Sequence, residues 1–183
     1  PGCYASSSSA TREKLTLAKE FIQLQGGRVP LDEAVPIWLG ILDGLAYAHH
    51  ANITFRNAEG KSKTFQGIVH RNLNPQNILL QAQKGEVWIP KITDLGLSKN
   101  FEAAGLTGIT TQGDVLGTPI YWPREQITHY RYLTPATDVF SIAAVFYEML
   151  TGSWVREGFK ELSVRYKQLG RLPTISDYTD VIT

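Results

Sequence analysis

The stretch from residue 68 to residue 99 reads IVHRNLNPQNILL, continues through a polar break, and ends KITDLGLSK. Two short apolar runs, Ile78-Leu79-Leu80 and Val87-Trp88-Ile89, flank a turn-prone segment, and this pattern predicts a β-hairpin. A hairpin brings its two ends together, so we expect Asn77, just before the first strand, to face Asp94, just after the second. An amide oxygen and a carboxylate held close together are ligands suited to Mg²⁺. The stretch therefore predicts a hairpin with a magnesium-binding pair at its open end.

Four segments carry a family signal, and they follow one another in a fixed order. Residues 70–77 read HRNLNPQN, residues 94–96 read DLG, residues 117–125 read GTPIYWPRE, and residues 138–141 read DVFS ahead of an apolar helix. They resemble, in turn, the H-R-D-x-x-x-x-N catalytic loop, the D-F-G motif, the end of the activation segment and the central buried helix of eukaryotic-type (Hanks-type) Ser/Thr protein kinases. The resemblance covers roughly residues 15–170.

The resemblance implies which residues would take part in phosphoryl transfer. Asn72 stands at the position of the catalytic Asp, and Asn74 at that of the loop Lys. Asn77 and Asp94, with Gly96 of the DLG motif, stand where the family binds Mg²⁺ and ATP. An amide cannot take up a proton near neutral pH, and the loss of one positioned acid–base group typically slows a reaction about 10²–10⁴-fold. The resemblance thus implies transfer from ATP to protein Ser or Thr, with impaired catalysis: a pseudokinase.

The resemblance also implies residues that support or regulate this site. Asp138 would accept hydrogen bonds from the backbone near His70 and Arg71, and Glu125 would pair with an Arg that follows this chain. Thr118 would contact the catalytic loop, and Arg71 would bind a phosphate on the activation segment. The candidate phosphorylation sites in that segment are Thr107, Thr110 and Thr111.

Composition limits the partners and the compartment. The 183 residues are 43% hydrophobic and 19% charged, and the net charge of +1 gives no reason to expect nucleic acid or an anionic membrane as partner. The single cysteine, Cys3, excludes an internal disulfide framework and suits a reducing compartment. No apolar run approaches the ~18 residues typical of a membrane span. We expect a cytoplasmic domain of a longer protein, acting on a protein substrate or a regulated protein partner.

Apolar periodicity predicts three long helices, at residues 11–25, 32–49 and 137–150. The second should end at His49 and His50, which lack the neighbours that a metal site would need. Thr137 is expected to cap the third, and Gly152 to end it. A second small hairpin is predicted within residues 51–67.

These elements lead to an expectation for the fold: a mainly α, kinase-like C-terminal lobe with small hairpins at the active-site face and no N-terminal β-lobe. Neither G-x-G-x-x-G nor a Val-Ala-Ile-Lys-like strand occurs in the sequence. The expected layout is one partial kinase domain over residues 1–183, with an inter-lobe linker at 1–10, an inserted hairpin at 51–67 and an activation segment at 94–125.

Three alternatives to the pseudokinase interpretation are open at this point. The chain could be an active bacterial-type Ser/Thr kinase that tolerates Asn72, or a non-catalytic interaction or scaffold module. A small-molecule phosphotransferase of the aminoglycoside-kinase type has a similar loop, but such enzymes lack the activation segment that residues 117–125 resemble.

Overall fold

The computed structural model describes residues 15–56, 60–84, 87–94, 119–128 and 133–156, with Gly158 and Glu161. Within these ranges, a 3₁₀ turn spans Pro119–Tyr121. In chain order the strands and α-helices are β1 Leu15–Leu17, α1 Ala18–Leu24, α2 Leu31–His50, β2 Asn52–Arg56, β3 Ser62–Gln66, β4 Ile78–Ala82, β5 Trp88–Ile92, α3 Arg124–Thr128 and α4 Pro135–Thr151.

Both predicted hairpins are confirmed. β4 and β5 pair antiparallel with Ile78 opposite Ile92, and β2 and β3 pair antiparallel with Ile53 opposite Phe65. Along β4, the side chains of Ile78 and Leu80 are fully buried, whereas Leu79 between them is only partly so. This alternation has the period of two that a strand requires, so one face of the hairpin joins the core.

The expectation of a mainly α lobe without N-terminal β-structure is wrong. β1 pairs antiparallel with the outer edge of β4, which gives a three-stranded sheet in the order β1-β4-β5 and a mixed α/β fold. The periodicity had assigned Leu15–Leu17 to a helix. An unpaired edge of β4 would leave backbone amides and carbonyls without partners, and the strand satisfies them. The helix therefore begins only at Ala18.

The core lies between α2, α4 and the sheet. α2 buries Ala34, Ile37, Ile41 and Leu45, which recur at the three- and four-residue spacing of one helical face. Trp38 of α2 stacks on a ring of α4, Phe146, with the ring centroids 4.7 Å apart.

α2 approaches the sheet closely at one glycine. A Cβ added at Gly40 would lie 2.7 Å from Cγ of Pro90 in β5. Only a residue without a side chain therefore lets the helix reach β5 at this distance.

The two ends of α4 fit the sequence prediction unequally. Gly152 ends the helix with φ +69°, and its amide donates to the carbonyl of Glu148, as expected for a left-handed cap. The start is one turn earlier than predicted: Thr134 is the N-cap residue and Pro135 opens the helix. Thr137 lies inside the first turn and is buried. Proline is favoured at this position because it has no amide hydrogen to satisfy.

Tyr121 attaches the 3₁₀ turn to α4. Its hydroxyl donates to Oε2 of Glu148 over 2.5 Å, and its side chain is buried. Burial and the adjacent Glu148 carboxylate raise the pKa of Tyr121 well above its ordinary range, since both disfavour a phenolate. The segment after residue 118 is therefore held to the central helix by a neutral phenol that donates to a carboxylate.

This contact predicts a stability loss in Tyr121→Phe. At pH 7 the free energy of unfolding should fall by about 1.5–3 kcal/mol, because a hydrogen bond to a charged group is lost. Tyr147→Phe is the matched control. Tyr147 precedes Glu148 in the chain and is 44% exposed, so its substitution should change the free energy of unfolding little. Urea denaturation followed by circular dichroism measures both.

The same contact predicts a dependence on alkaline pH. A tyrosine whose pKa is raised in the folded state contributes its full stabilisation at any pH below the ordinary tyrosine pKa of about 10. This contribution is lost as the pH rises above about 10. The parent chain should therefore lose stability more steeply above pH 10 than Tyr121→Phe does. Parallel slopes for the two proteins would contradict this interpretation.

Candidate active site

The site is built on the loop between β3 and β4, residues 67–77. The side chains of residues 70–74 are all buried. A buried loop has no water to satisfy its backbone, so every polar group needs a partner within the fold. The partners come from α1, α2, α3 and α4, and from Thr93 just after β5.

Asp138 of α4 is the main anchor of this loop. Its carboxylate is fully buried; Oδ1 accepts from the amide of Arg71 and Oδ2 from the amide of His70, each over 2.8 Å. These are the backbone hydrogen bonds that the kinase resemblance implies. Oδ2 also lies 2.8 Å from Nε2 of His49, at the C-terminal end of α2. One carboxylate thus joins α4, the loop and α2.

Arg71 adopts a backbone conformation that is uncommon for a side chain with a Cβ. Its φ is +69°, in the left-handed region. The residue is fixed on both sides: its amide donates to Asp138, and its carbonyl accepts from Nε2 of Gln126 in α3. Such conformations persist where the surroundings over-determine them. The loop geometry is therefore imposed by α4 and α3 together.

The His70 ring connects the loop to the end of β5. Nδ1 accepts from the amide of Asn72 over 3.2 Å, and Nε2 lies 2.8 Å from the carbonyl of Thr93. Because Nδ1 accepts and a carbonyl can only accept, the neutral tautomer with hydrogen on Nε2 satisfies both contacts. Both nitrogens are occupied, so the ring acts as a structural brace.

The asparagines of the loop bind one another. The carbonyl of Asn72 accepts from Nδ2 of Asn74 over 3.0 Å and from Nδ2 of Asn77 over 2.8 Å. Oδ1 of Asn74 accepts from the amide of Gln76 over 2.9 Å, which closes an Asx-type turn. The Asn74 side chain is thus folded back into the loop and buried.

The hairpin aligns Asn77 with the residue before Asp94. The amide of Thr93 donates to the carbonyl of Asn77 over 2.9 Å, which extends the β4–β5 ladder by one pair. Asp94 follows with φ +61° and an exposed side chain. Because Nδ2 of Asn77 donates to Asn72, its Oδ1 is the atom left for a cation.

Asn77 and Asp94 each offer an oxygen donor of the kind that Mg²⁺ prefers. Across the described part of the chain, no group of three or more His, Cys, Asp and Glu side chains could hold a metal. Mg²⁺ is commonly bound by one or two carboxylates together with substrate phosphates and water. One amide oxygen and one carboxylate are donors of the kind used in that arrangement.

Arg156 braces the segment that follows the 3₁₀ turn. Its Nη1 donates to the carbonyl of Trp122 over 2.8 Å, and its guanidinium lies 5.1 Å from the centre of the Phe140 ring. Burial lowers the pKa of Arg156, and the Glu125 carboxylate partly opposes that effect. The resemblance implied an Arg beyond this chain as the partner of Glu125. The Glu125 carboxylate is near enough to Arg156 to influence its pKa electrostatically.

The other predicted site residues lie outside the described part of the chain. They are Gly96, Thr107, Thr110, Thr111 and Thr118.

The family model for the protein kinase domain matches residues 10–180. The chain belongs to the protein kinase domain family. The match includes β1 and the sheet as well as the helices, in agreement with a mixed α/β kinase domain.

Several bacterial Ser/Thr kinases are similar to this kinase domain. The chain is 34% identical over 146 residues to serine/threonine-protein kinase PknL of Mycobacterium tuberculosis, covering 80% of this chain and 31% of that protein. It is 31% identical over 147 residues to PknA of Corynebacterium glutamicum, covering 80% of this chain and 26% of the relative. The chain therefore spans a third or less of the length of these curated relatives. Within the described ranges, no helix combines the length and the apolar character that crossing a membrane requires.

Three residues that support the site were not predicted from the sequence. His49 contacts Asp138, Gln126 contacts the Arg71 carbonyl, and Arg156 contacts Trp122. Each contact joins residues at least 34 positions apart. Only His49 carried a signal, as a histidine at the end of a buried helix.

The Asp138 anchor predicts unequal roles for two adjacent histidines. His49→Ala should lower the free energy of unfolding by about 1.5–3 kcal/mol, because a buried carboxylate loses a hydrogen-bond partner. His50→Ala is the matched control. His50 is exposed, and its ring lies within hydrogen-bond distance of the Ala46 carbonyl, one turn earlier in the same helix, so we expect a change within about 0.5 kcal/mol.

Urea denaturation measures this difference, and amide hydrogen exchange locates it. The amides of His70 and Arg71 should exchange faster in His49→Ala than in His50→Ala, because the carboxylate that accepts from them is less fixed. Equal destabilisation by the two variants would show that His49 does not support the loop.

Proposed function

We propose that this domain is a Ser/Thr protein kinase-like module that binds ATP and Mg²⁺ in its parent protein but transfers phosphate poorly. The observation that carries the proposal is the pair Asn72 and Asn74. They occupy the positions of the family's catalytic Asp and Lys in a loop whose anchors are intact.

The chemistry of Asn72 supports impairment. In protein kinases the loop Asp accepts the proton of the substrate hydroxyl. An amide oxygen accepts a hydrogen bond but does not take up a proton near neutral pH. Asn72 could orient a substrate hydroxyl and leave its proton without an acceptor.

The contacts of Asn74 support impairment independently. A Lys at this position supplies positive charge to the phosphate being transferred. Asn74 has no charge, and both ends of its amide are used within the loop, by the Asn72 carbonyl and the Gln76 amide. Phosphoryl transfer depends on positioning and charge neutralisation, so the loss of a cation adds to the loss of the base.

Nucleotide binding is the part of the proposal that the remaining residues favour. Oδ1 of Asn77 and the carboxylate of Asp94 are oxygen donors at the open end of the β4–β5 hairpin, and Gly96 follows in the DLG motif. Mg²⁺, when bound, would neutralise phosphate charge. The protein side chains would hold its position.

The proposal extends to layout and regulation. Residues 1–10 would be a linker, residues 51–67 an inserted hairpin, and residues 94–125 an activation segment that docks a protein partner through Thr118. Arg71 would bind phosphate at Thr107, Thr110 or Thr111. A cytoplasmic placement would give access to ATP and protein substrates.

An active kinase is the second candidate, and one observation favours it. The loop retains its anchors to Asp138 and to Thr93, so residue 72 is held in a defined place. A water molecule positioned by Asn72 could then accept the proton. In that case Asn72 would orient the hydroxyl without being the base.

Restoring the acid separates the two candidates. In the full-length parent, Asn72→Asp should raise turnover of a generic protein substrate about 10²–10⁴-fold over the unmodified protein, because a proton acceptor returns. The double variant Asn72→Asp, Asn74→Lys should be faster still. Radiolabelled ATP with Mg²⁺ measures transfer. Substantial turnover by the unmodified protein, at a rate similar to that of Asn72→Asp, would establish the active kinase instead.

The nucleotide part has its own test, which does not require catalysis. Asp94→Asn in the parent should abolish the Mg²⁺ dependence of ATP binding, because a neutral amide replaces the anionic ligand. Asp43→Asn, on an exposed carboxylate of α2, is the matched control and should bind like the parent. Calorimetric titration of ATP with and without Mg²⁺ gives the answer. No ATP binding by the unmodified parent would indicate a purely non-catalytic interaction module.

A further inference from the structure

A concave region lies behind the loop, on the side of α2 that faces β2 and β5. It is a cavity of about 330 Å³. Its walls are mainly aliphatic and small, and include Gly44, Ala48, Ile53, Ile68 and Ile92. Small-molecule sites in proteins are mostly apolar clefts of about 300–1,000 Å³, so this one has the size and lining of a ligand site.

The glycine at position 44, beside the cavity, is not required by close packing between α2 and β5. Gly40, one turn earlier, must lack a side chain because Pro90 lies against it. At Gly44 an added Cβ would lie 3.4 Å from Cδ1 of Ile92, an ordinary contact. Alanine would therefore fit, and glycine inside a helix is destabilising relative to alanine. The helix carries a glycine that packing does not demand, and the cavity opens beside it.

The polar groups of the cavity specify one kind of ligand. Both ring nitrogens of His70 are already hydrogen-bonded, so the ring offers the ligand only a surface. Lys91 is exposed and also lines the cavity, and its ammonium forms no ion pair or hydrogen bond with another described residue. Tyr47, 79% exposed, lines it as well. An apolar cavity with a lysine ammonium among its lining residues suits a ligand that has a short apolar chain and an anionic end group.

We propose that this cavity binds a small amphipathic carboxylate, with an alkyl chain inside and the carboxylate paired to Lys91. The site is separate from the proposed nucleotide site and does not depend on it. Ile68 leads into the loop that carries Asn72, and Ile92 is two residues before Asp94. A ligand in the cavity would contact the chain just before the loop that carries Asn72 and just before Asp94.

Decanoate is the probe, and decanol is its uncharged control. On the full 183-residue chain, calorimetry below the micelle concentration should show saturable binding of decanoate and weaker binding of decanol. Lys91→Gln should weaken decanoate binding about two- to fivefold, the effect of losing an exposed ion pair, and leave decanol unchanged. Lys84→Gln, on an exposed lysine outside the cavity, is the matched control and should bind like the parent.

Filling the cavity tests its location. Gly44→Leu and Ala48→Leu should each abolish binding, and Gly44→Ala, which the packing tolerates, should weaken it. If the leucine variants fail to fold, methyl NMR on the unmodified chain replaces them. The Ile53, Ile68 and Ile92 methyl signals should then shift together on titration and show contacts to the alkyl protons.

Three results would overturn the proposal. They are the absence of saturable decanoate binding, binding that is unchanged in the filled variants, and equal affinity for decanol and decanoate. In the methyl experiment, shifts confined to other residues would overturn it equally. None of these measurements uses phosphoryl transfer, so failure here is distinct from failure of the proposed function.

Discussion

The arrangement of the site depends on one buried carboxylate. Asp138 has no access to solvent, and a charge in such a position is strongly unfavourable unless it is fully hydrogen-bonded. It meets that requirement with the amides of His70 and Arg71 and the ring of His49. The contacts are reciprocal, because the same amides would otherwise be buried donors without partners. These hydrogen bonds to Asp138 fix the left-handed backbone conformation of Arg71 and the direction of the chain toward Asn72.

The hairpin supplies the second constraint, and the two meet at His70. The ladder from Ile78 and Ile92 continues to Asn77 and Thr93, so the two ends of the hairpin are fixed at one register. The His70 ring then joins Thr93 to the loop. A register shift of one residue would reverse the faces of β4 and expose Ile78, which is fully buried. Core packing and site geometry therefore select the same pairing.

What the sequence predicted correctly was local. The β4–β5 hairpin, α2, and the left-handed end of α4 at Gly152 follow from periodicity and turn residues within one short window. β1 did not, because Leu15–Leu17 takes its conformation from the edge of β4, more than 60 positions away in the chain. His49, Gln126 and Arg156 were missed for the same reason. Their partners are chosen by tertiary packing, which no local pattern encodes.

The same division between local pattern and tertiary packing applies to the contacts that hold the loop. The groups that hold the loop are backbone amides and carbonyls and the side chains of Asp138, His70, Gln126, Asn74 and Asn77. Asn72 binds through its backbone amide and carbonyl, which any residue would supply, and its Oδ1 also accepts from Nδ2 of Asn74 over 3.4 Å. Asn74 uses its side chain to close an Asx turn that a lysine could not form. The two asparagines thus leave positions 72 and 74 of a buried loop uncharged, and Asn74 adds a turn contact.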